Sequence, residues 1–131
     1  MKYKLILSLL FLFLACGSPD RCGEIEYVEG ITYLNGNLYT GKCSVYKNDT
    51  IVSVQQYLNG KDHGNWVFYH PNGNIETKAK FKNGQRVGKW IYYHDNGNVK
   101  QRSQYRNGKK YGVWSTYDSE GKIIEKTEIK E

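Results

Sequence analysis

Apolar and polar residues alternate along several short segments of the chain. In the clearest segment, residues 75–81, two sets of side chains alternate: Ile75, Thr77, Ala79 and Phe81 in one set, and Glu76, Lys78 and Lys80 in the other. Alternation with period two places the two sets on opposite faces of a strand, one buried and one in contact with solvent. No segment after residue 16 shows the 3.6-residue period of an amphipathic helix. The pattern therefore predicts an all-β chain with a half-solvated antiparallel sheet.

Asn-Gly pairs separate these segments at regular intervals. They begin at residues 35, 59, 72, 83, 96 and 107, while Asn48-Asp49 and Glu120-Gly121 stand where the series needs two more turns. Asn-Gly favours a two-residue type I′ hairpin turn, because both central residues of that turn take positive φ. From residue 59 the steps alternate between 13 and 11 residues, so one β-hairpin recurs every 24 residues.

The recurrence defines four units, which begin at Tyr33, Tyr57, Phe81 and Tyr105. The last three align without gaps, whereas the first needs a one-residue shift around Cys43, where later units carry Trp. Self-similarity at such a period is typical of a repeat architecture. With two strands per unit and one preceding strand over residues 25–32, we expect a single-layer meander of eight or nine strands.

Two sets of residues recur in these units and are assigned structural roles. One set is Trp66, Trp90 and Trp114, and the other is Gly64, Gly88 and Gly112. We interpret the tryptophans, with the leading aromatic of each unit, as the hydrophobic spine of the sheet. Glycine inside a strand often marks a close approach, so we interpret the glycines as room for a stacked aromatic from the neighbouring unit.

Residues 1–15 predict a signal segment, with Lys2 and Lys4 before an apolar run over residues 5–14. The run is too short to cross a hydrocarbon core of about 30 Å as a helix. Its end, Phe-Leu-Ala-Cys at residues 13–16, resembles the lipobox of bacterial lipoproteins. That resemblance implies a lipidated Cys16, export, and attachment to the bacterial cell envelope. Ordinary signal-peptidase cleavage nearby, with Cys16 uninvolved, is the alternative.

We accordingly expect residues 16–24 to form the lipidated N-terminus and a linker, and residues 25–131 to form the repeat domain. If Cys16 is lipidated, Cys22 and Cys43 remain as an even pair in an exported protein. An oxidising compartment permits a disulfide between them. The alternative is that Cys43 is a buried free thiol in the position of the later tryptophans.

The units also carry a specific resemblance. Gly-Lys-Trp-Ile-Tyr-Tyr-His-Asp-Asn-Gly at residues 88–97 and Tyr-Arg-Asn-Gly-Lys-Lys-Tyr-Gly at residues 105–112 resemble the bacterial variant of the MORN repeat. The same repeats are found in proteins labelled as YwqK-family antitoxins. The resemblance covers roughly residues 33–128. It implies a curved single-layer sheet of hairpins and a role in protein or lipid association, with no chemistry of its own.

Positive charge is concentrated in the middle of the repeat array. Residues 57–112 carry 11 Lys or Arg against 3 acids, whereas the stretches before and after this region are acidic. The candidate binding face consists of Lys78, Lys80, Lys82, Lys100, Arg102 and Arg106. Rows of like charge at the spacing of a hairpin could contact phosphates or acidic sugars. The alternative is a solvated face that keeps the sheet soluble.

Aromatic residues provide a second candidate surface. Tyr69, Tyr93 and Tyr117 alternate away from the tryptophans in their own strands, and tyrosine is common in binding hot spots. Aromatic packing between strands would place them there equally well.

The sequence lacks the motifs of the common catalytic sites, so we expect no enzyme and no cofactor. His70 and His94 share a repeat position, but neighbouring units of a sheet lie about 9.6 Å apart, too far for one metal ion to bind both. His63 lies beside Asp62 in a turn, where a solvated pair is expected. No metal site is predicted.

These observations predict a non-catalytic cell-envelope lipoprotein, anchored to a membrane by its lipid, that binds a protein partner, anionic lipid or glycan. Nucleic acid is not expected as a partner of an exported protein. Two alternatives stay open: an antitoxin or immunity protein that neutralises a dedicated toxin, and a structural spacer of the envelope.

Overall fold

The computed structural model of the protein describes residues 20–130. Apart from a short 3-10 helix at Cys22–Glu24, its regular elements are strands. In chain order they are β1 (Asp20–Arg21), β2 (Ile25–Val28), β3 (Ile31–Leu34), β4 (Asn37–Leu38), β5 (Gly41–Lys47), β6 (Thr50–Leu58), β7 (Lys61–Asp62), β8 (Gly64–Tyr69), β9 (Ile75–Lys82), β10 (Gln85–Arg86), β11 (Gly88–Tyr93), β12 (Val99–Arg106), β13 (Lys109–Lys110), β14 (Gly112–Tyr117) and β15 (Ile123–Ile129).

The main sheet follows the chain from one hairpin to the next. Its strand order is β1-β5-β6-β8-β9-β11-β12-β14-β15, and the short strands β7, β10 and β13 pair with β6, β9 and β12. All pairings in this sheet are antiparallel except that of β1 with β5. The predicted all-β meander of repeated hairpins is confirmed.

The predicted single strand over residues 25–32 is wrong. Glu29 and Gly30 both take positive φ, 48° and 84°, and form a type I′ turn between β2 and β3. Strands β2, β3 and β4 then form a separate three-stranded sheet. This small sheet is joined to the main one through the turn at Gly60, whose carbonyl accepts from the Thr32 amide at 2.8 Å.

The Asn-Gly pairs form two different turns, which define two edges of the main sheet. Asn59, Asn83 and Asn107 have φ of 48–49° and are each followed by a glycine of positive φ, so the predicted type I′ turn is confirmed on this edge, called the odd-turn edge. On the opposite, even-turn edge, Gly73 and Gly97 have positive φ but the asparagines before them do not. The Gly73 amide donates to the His70 carbonyl at 2.9 Å, which is the pattern of a type I turn followed by a G1 bulge. The type I′ prediction is wrong for these turns.

Candidate binding faces and turn edges

One face of the main sheet, called the ladder face, carries a continuous stack of aromatic rings. Neighbouring ring centroids lie 4.9 to 5.7 Å apart along the whole series. In order across the sheet the rings are Tyr39, Tyr57, Trp66, Phe81, Trp90, Tyr105 and Trp114. Edge-on and tilted contacts at such distances add about 0.5–1.5 kcal/mol per pair beyond the burial of apolar area. This stack is the hydrophobic core of a sheet that has no second layer.

Each tryptophan is fixed by more than stacking. The Trp66 indole N–H donates to the Gln56 carbonyl at 2.8 Å, and the Trp90 indole donates to the Lys80 carbonyl at 3.1 Å. The residue opposite Trp66 in the hairpin is Ala79, and the residue opposite Trp90 is Ser103. A small partner leaves room for the indole, and the indole satisfies its own polar group. The aromatic side chains of the ladder face therefore pack and bond within the sheet and stabilise it.

Our interpretation that the glycines before the tryptophans make room for an aromatic ring is wrong. Gly64, Gly88 and Gly112 have φ of 66–69°, a left-handed conformation that other residues adopt at a cost. A Cβ at Gly64 would collide with the amide of Gln56, and one at Gly112 would lie 3.1 Å from the Gln104 amide oxygen. No aromatic ring lies among the atoms nearest to such a Cβ. The positive φ favours glycine at all three positions, and a Gln side chain adds a close contact at Gly64 and Gly112 but not at Gly88, where Lys80 Cδ lies 3.8 Å away.

Cations cap the rings at the odd-turn edge. The Arg86 guanidinium carbon lies 4.7 Å from the centroid of the Trp90 ring, and its Nη1 donates to the Tyr105 hydroxyl at 3.2 Å. One unit later the Lys110 ammonium lies 4.5 Å from the Trp114 ring. A cation over an indole is attracted by the negative face of the ring. These two charges therefore stabilise the ladder.

The same repeat position in the second unit carries Asp62, which reverses the charge. Burial raises the pKa of the Asp62 carboxyl above its ordinary value. Burial, followed by the negative charge of Asp62, raises the pKa of the Tyr57 hydroxyl to about 12. An acid at this position thus disfavours its own ionisation and that of the neighbouring ring.

The opposite face, called the basic face, carries the predicted cations. Strand pairing places a row of residues directly beside one another: Val67, Lys78, Ile91, Arg102 and Ser115. Cations and uncharged side chains alternate along this row, so neighbouring charges are separated by two strand spacings, about 9.6 Å. Lys80, Lys82, Lys100 and Arg106 are exposed like the two cations of the row. All six predicted cations lie on β9 and β12, which are separated in the sheet by β11 alone.

The predicted tyrosine row is only partly available for binding. Tyr69, Tyr93 and Tyr117 are each half-buried at the ends of their strands. The Lys78 ammonium lies 5.7 Å from the centroid of the Tyr93 ring, which puts this tyrosine with the basic face. Part of each ring packs against the sheet and part meets solvent.

The histidines bind the next unit. His70 Nε2 donates to the Tyr93 carbonyl at 3.0 Å, which requires its Nε2–H tautomer. Asn72 and Asn74 both donate from their side-chain amides to the Asp95 carbonyl, at 2.8 and 2.7 Å. The same bonds recur one unit later: His94 donates to Tyr117, and Asn96 and Asn98 donate to Ser119. We call this series the turn ladder.

Within residues 20–130 no group of three or more His, Cys, Asp or Glu could hold a metal ion.

The turn ladder is not continued by the last unit. Asp118, at the position of His70 and His94, accepts instead from the backbone amides of Glu120 and Lys122 in its own turn. The last unit therefore has a carboxylate that accepts hydrogen bonds within its own turn, where the earlier units have a histidine that donates to the next unit.

At the other end of the array Cys22 and Cys43 form a disulfide, with their Cα atoms 5.1 Å apart. Cys43 is fully buried, and the bond ties the 3-10 helix to β5. Cys16 and the signal segment lie outside the described residues. No helix in the described part of the chain is long and apolar enough to span a bilayer.

Two arrangements were missed from the sequence although a signal for each was present. His70 and His94, like Asn74 and Asn98, recur exactly one period apart, a sign of contacts repeated between units. Arg86 and Lys110 also recur one period apart at the odd-turn edge. Spacing indicated the contacts, but only the pairing of neighbouring turns identifies the partners.

The repeats match a known family. The model described as the MORN repeat variant matches residues 62–83, 86–107 and 110–131, three consecutive copies that together cover half of the chain. No curated protein and no solved structure matches the chain. The matched copies share the odd-turn position, the tryptophan and the closing hairpin described above. The chain belongs to the MORN repeat variant family.

Proposed function

We propose that this protein is a non-catalytic binding module, exported and lipid-anchored in the bacterial cell envelope, whose basic face contacts an anionic partner. The row containing Lys78 and Arg102 carries this proposal. MORN repeats suggest a binding or interaction module, and the ladder face is already occupied by its own core. The basic face is the larger surface left for a partner.

The chemistry of that face fits phosphate groups or acidic sugars. Residues 75–106 contain eight Lys or Arg and two acids, Glu76 and Asp95. The uncharged Ile91 lies between Lys78 and Arg102, which lets each cation reach a separate anionic group. An anionic surface at the membrane or in the envelope glycans would meet several of them at once, and each pairing would weaken with salt.

A charge-reversal experiment tests the anionic partner. The triple variant K78E/R102E/R106E, with Cys16→Ser to remove the anchor, would be measured against vesicles with and without phosphatidylglycerol and against an acidic polysaccharide. The matched control is K42E/K61E/K122E, which changes the net charge equally at exposed lysines outside β9 and β12. We expect the first variant to lose binding and the control to retain most of it. Equal losses of binding in the two variants would show that binding depends only on the net charge of the protein.

The lipid anchor has its own test. Mass spectrometry of the native N-terminus should find a chain that begins at an acylated Cys16. An unmodified mature end at any other residue would remove the anchor from the proposal. The binding face would then need testing as part of a freely diffusing exported protein.

A dedicated protein partner, such as a toxin neutralised by capping, is favoured by a different surface. Tyr27, Val28, Leu38 and Leu58 are 38–71% exposed at the N-terminal end of the array. Exposed apolar side chains of this size often mark protein contacts. Co-purification with the product of a neighbouring gene would support this second function, and its loss in a Tyr27→Ser and Leu38→Ser variant would locate it.

A further inference from the structure

The turn ladder is interrupted at the junction between the first and second units. In the later junctions the acceptors are the carbonyls of Tyr93 and Asp95, and then those of Tyr117 and Ser119. The corresponding carbonyls of the second unit belong to Tyr69 and Pro71. Within residues 20–130 neither of them receives a side-chain hydrogen bond. These two carbonyls, whose equivalents accept from side chains in the later units, are called the open carbonyls.

The cause is the first even turn, which is one residue shorter than the others. Asn48 and Asp49 have φ of 49° and 58° and form a two-residue type I′ turn. Thr50, at the position of Asn74, has its hydroxyl 3.5 Å from the Asn48 carbonyl inside its own turn. A shorter turn with a shorter side chain does not reach the next unit.

A cleft occupies the space that the missing ladder leaves. It encloses about 480 Å³ and is lined by Lys47, Asn48, Thr50, Val52, Tyr69, Pro71 and Glu76. At the next junction, where His70 makes its bond, the corresponding cavity beside Tyr93 measures about 170 Å³. The larger volume falls within the range of small-molecule sites, roughly 300–1,000 Å³.

We propose that this cleft is a carbohydrate site that takes one neutral sugar ring. Tyr69 provides a half-buried aromatic ring for the C–H face of a sugar, and Val52 adds apolar surface beside it. The open carbonyls need hydroxyl or N–H donors, which a sugar supplies around its whole rim. Asn48 and Thr50 both donate and accept, so they can bond hydroxyls in either orientation.

The charges in the cleft select against an anionic ligand. Lys47 and Glu76 contribute one charge of each sign. Lys100 takes the place of Glu76 one unit later, and the smaller cavity there is lined by both Glu76 and Lys100. Glu76 lies on the same face of β9 as Lys78, so the cleft differs from the row of cations in its balanced charge and in its place beside the first even turn. The sugar site does not depend on the proposed anionic partner.

NMR titration of the full mature chain tests the proposal, with methyl N-acetylglucosaminide and methyl glucoside as probes. At about 10 mM sugar, where a site of millimolar affinity is largely occupied, we expect amide shifts at residues 47–52, 69 and 76. The equivalent residues 93–98 and 117–122 should not shift. No shifts, or equal shifts in residues 47–52, 93–98 and 117–122, would overturn the proposal.

Two variants locate the site. Tyr69→Ala should weaken sugar binding about tenfold, since a stacked aromatic contributes on the order of 1 kcal/mol, whereas Tyr93→Ala should change it less than about twofold. Replacing residues 47–50 with the sequence of residues 70–74 restores the longer turn and should abolish binding by closing the cleft. Unchanged affinity in the folded turn replacement would overturn the proposal. The K78E/R102E/R106E variant should bind the sugar normally, which separates this site from the basic face.

Discussion

In the first unit, residues 33–56, Cys43 stands where Trp66, Trp90 and Trp114 stand in the later units. That unit is held by a disulfide, and in its even turn the Thr50 hydroxyl bonds the Asn48 carbonyl of the same turn. The later units are held by stacked rings on one face and by the turn ladder on one edge. The family model matches the later copies and leaves the first unmatched. The later units are thus defined by their contacts with neighbouring units. The first unit, at the end of the array, has a disulfide where such contacts are missing.

The later units would be disrupted most by Trp90→Ala. The change removes three ring contacts, at 5.1, 5.3 and 6.4 Å, and one partly buried indole hydrogen bond. We expect a loss of about 3–5 kcal/mol in the free energy of unfolding, measured by urea denaturation followed by circular dichroism. Tyr93→Ala on the other face should cost less than half as much. Equal losses would show that the ladder face is not the core.

The first unit should depend in a similar way on its disulfide. Cys22→Ser opens a loop with a sequence separation of 21 residues, which corresponds to about 3 kcal/mol on the chain-entropy model. Hydrogen exchange should accelerate in residues 33–56 and remain slow in residues 81–117. Reductant added to the variant should have no further effect. Uniform acceleration along the array would mean that the two kinds of unit are not held independently.

The turn ladder offers a matched pair of substitutions. Asn74→Ala removes a bond to the next unit and should cost about 1 kcal/mol. Thr50→Ala, at the same position of the first unit, should cost close to nothing because its bond stays within its own turn. Thermal unfolding of the two variants measures the difference, and similar shifts in Tm would contradict it.

Asp62 weakens the pattern of cations over the rings at the odd-turn edge. Asp62→Arg should place a cation where Arg86 lies over Trp90, and should stabilise the protein by about 0.5–1 kcal/mol. Asp62→Asn, which removes the charge alone, should give a smaller gain. The substitution should also lower the pKa of Tyr57, because the charge of Asp62 contributes to its rise. Ultraviolet titration of the phenols would record that shift.

Alkaline pH tests the same position through the Tyr57 phenol. The folded-state pKa of Tyr57, about 12, lies above the ordinary value of 10.0, so the protonated phenol favours the folded state. Its contribution should be complete below pH 10.0 and disappear as the pH rises toward about 12. Tyr57→Phe should flatten this part of the stability profile. A profile identical to that of the parent would assign the alkaline loss to other groups.

The sequence predicted the hairpins, their period and the aromatic core, because each depends on local patterns that recur. It did not distinguish the turns at Asn59 and Asn72, since both are written Asn-Gly and differ only in the length of loop that the strand pairing closes. It also misassigned Gly64. The requirement there comes from a bulge, in which β6 advances three residues from the pair Tyr57–Asp62 to the pair Val54–Val67 while the opposite strand advances five.

The candidate site was predictable only in part. Alternation placed Lys78 and Lys80 on one face, and pairing across strands, which no local pattern encodes, set Lys78 beside Ile91. The open junction at Tyr69 depends on a bond that is absent.

Hydrogen bonds between neighbouring turns run along the odd-turn edge as well, where the Gly84 amide donates to Asp62 and the Gly108 amide donates to Arg86. Every such bond links residues less than one period apart. A chain whose contacts are this local has little loop entropy to overcome, so folding can start in any hairpin and spread to either side. For the same reason, excision of residues 81–104 should join two matching ends and leave a shorter array in the same register. Duplication of one period could therefore lengthen the protein during evolution without the redesign of any other part.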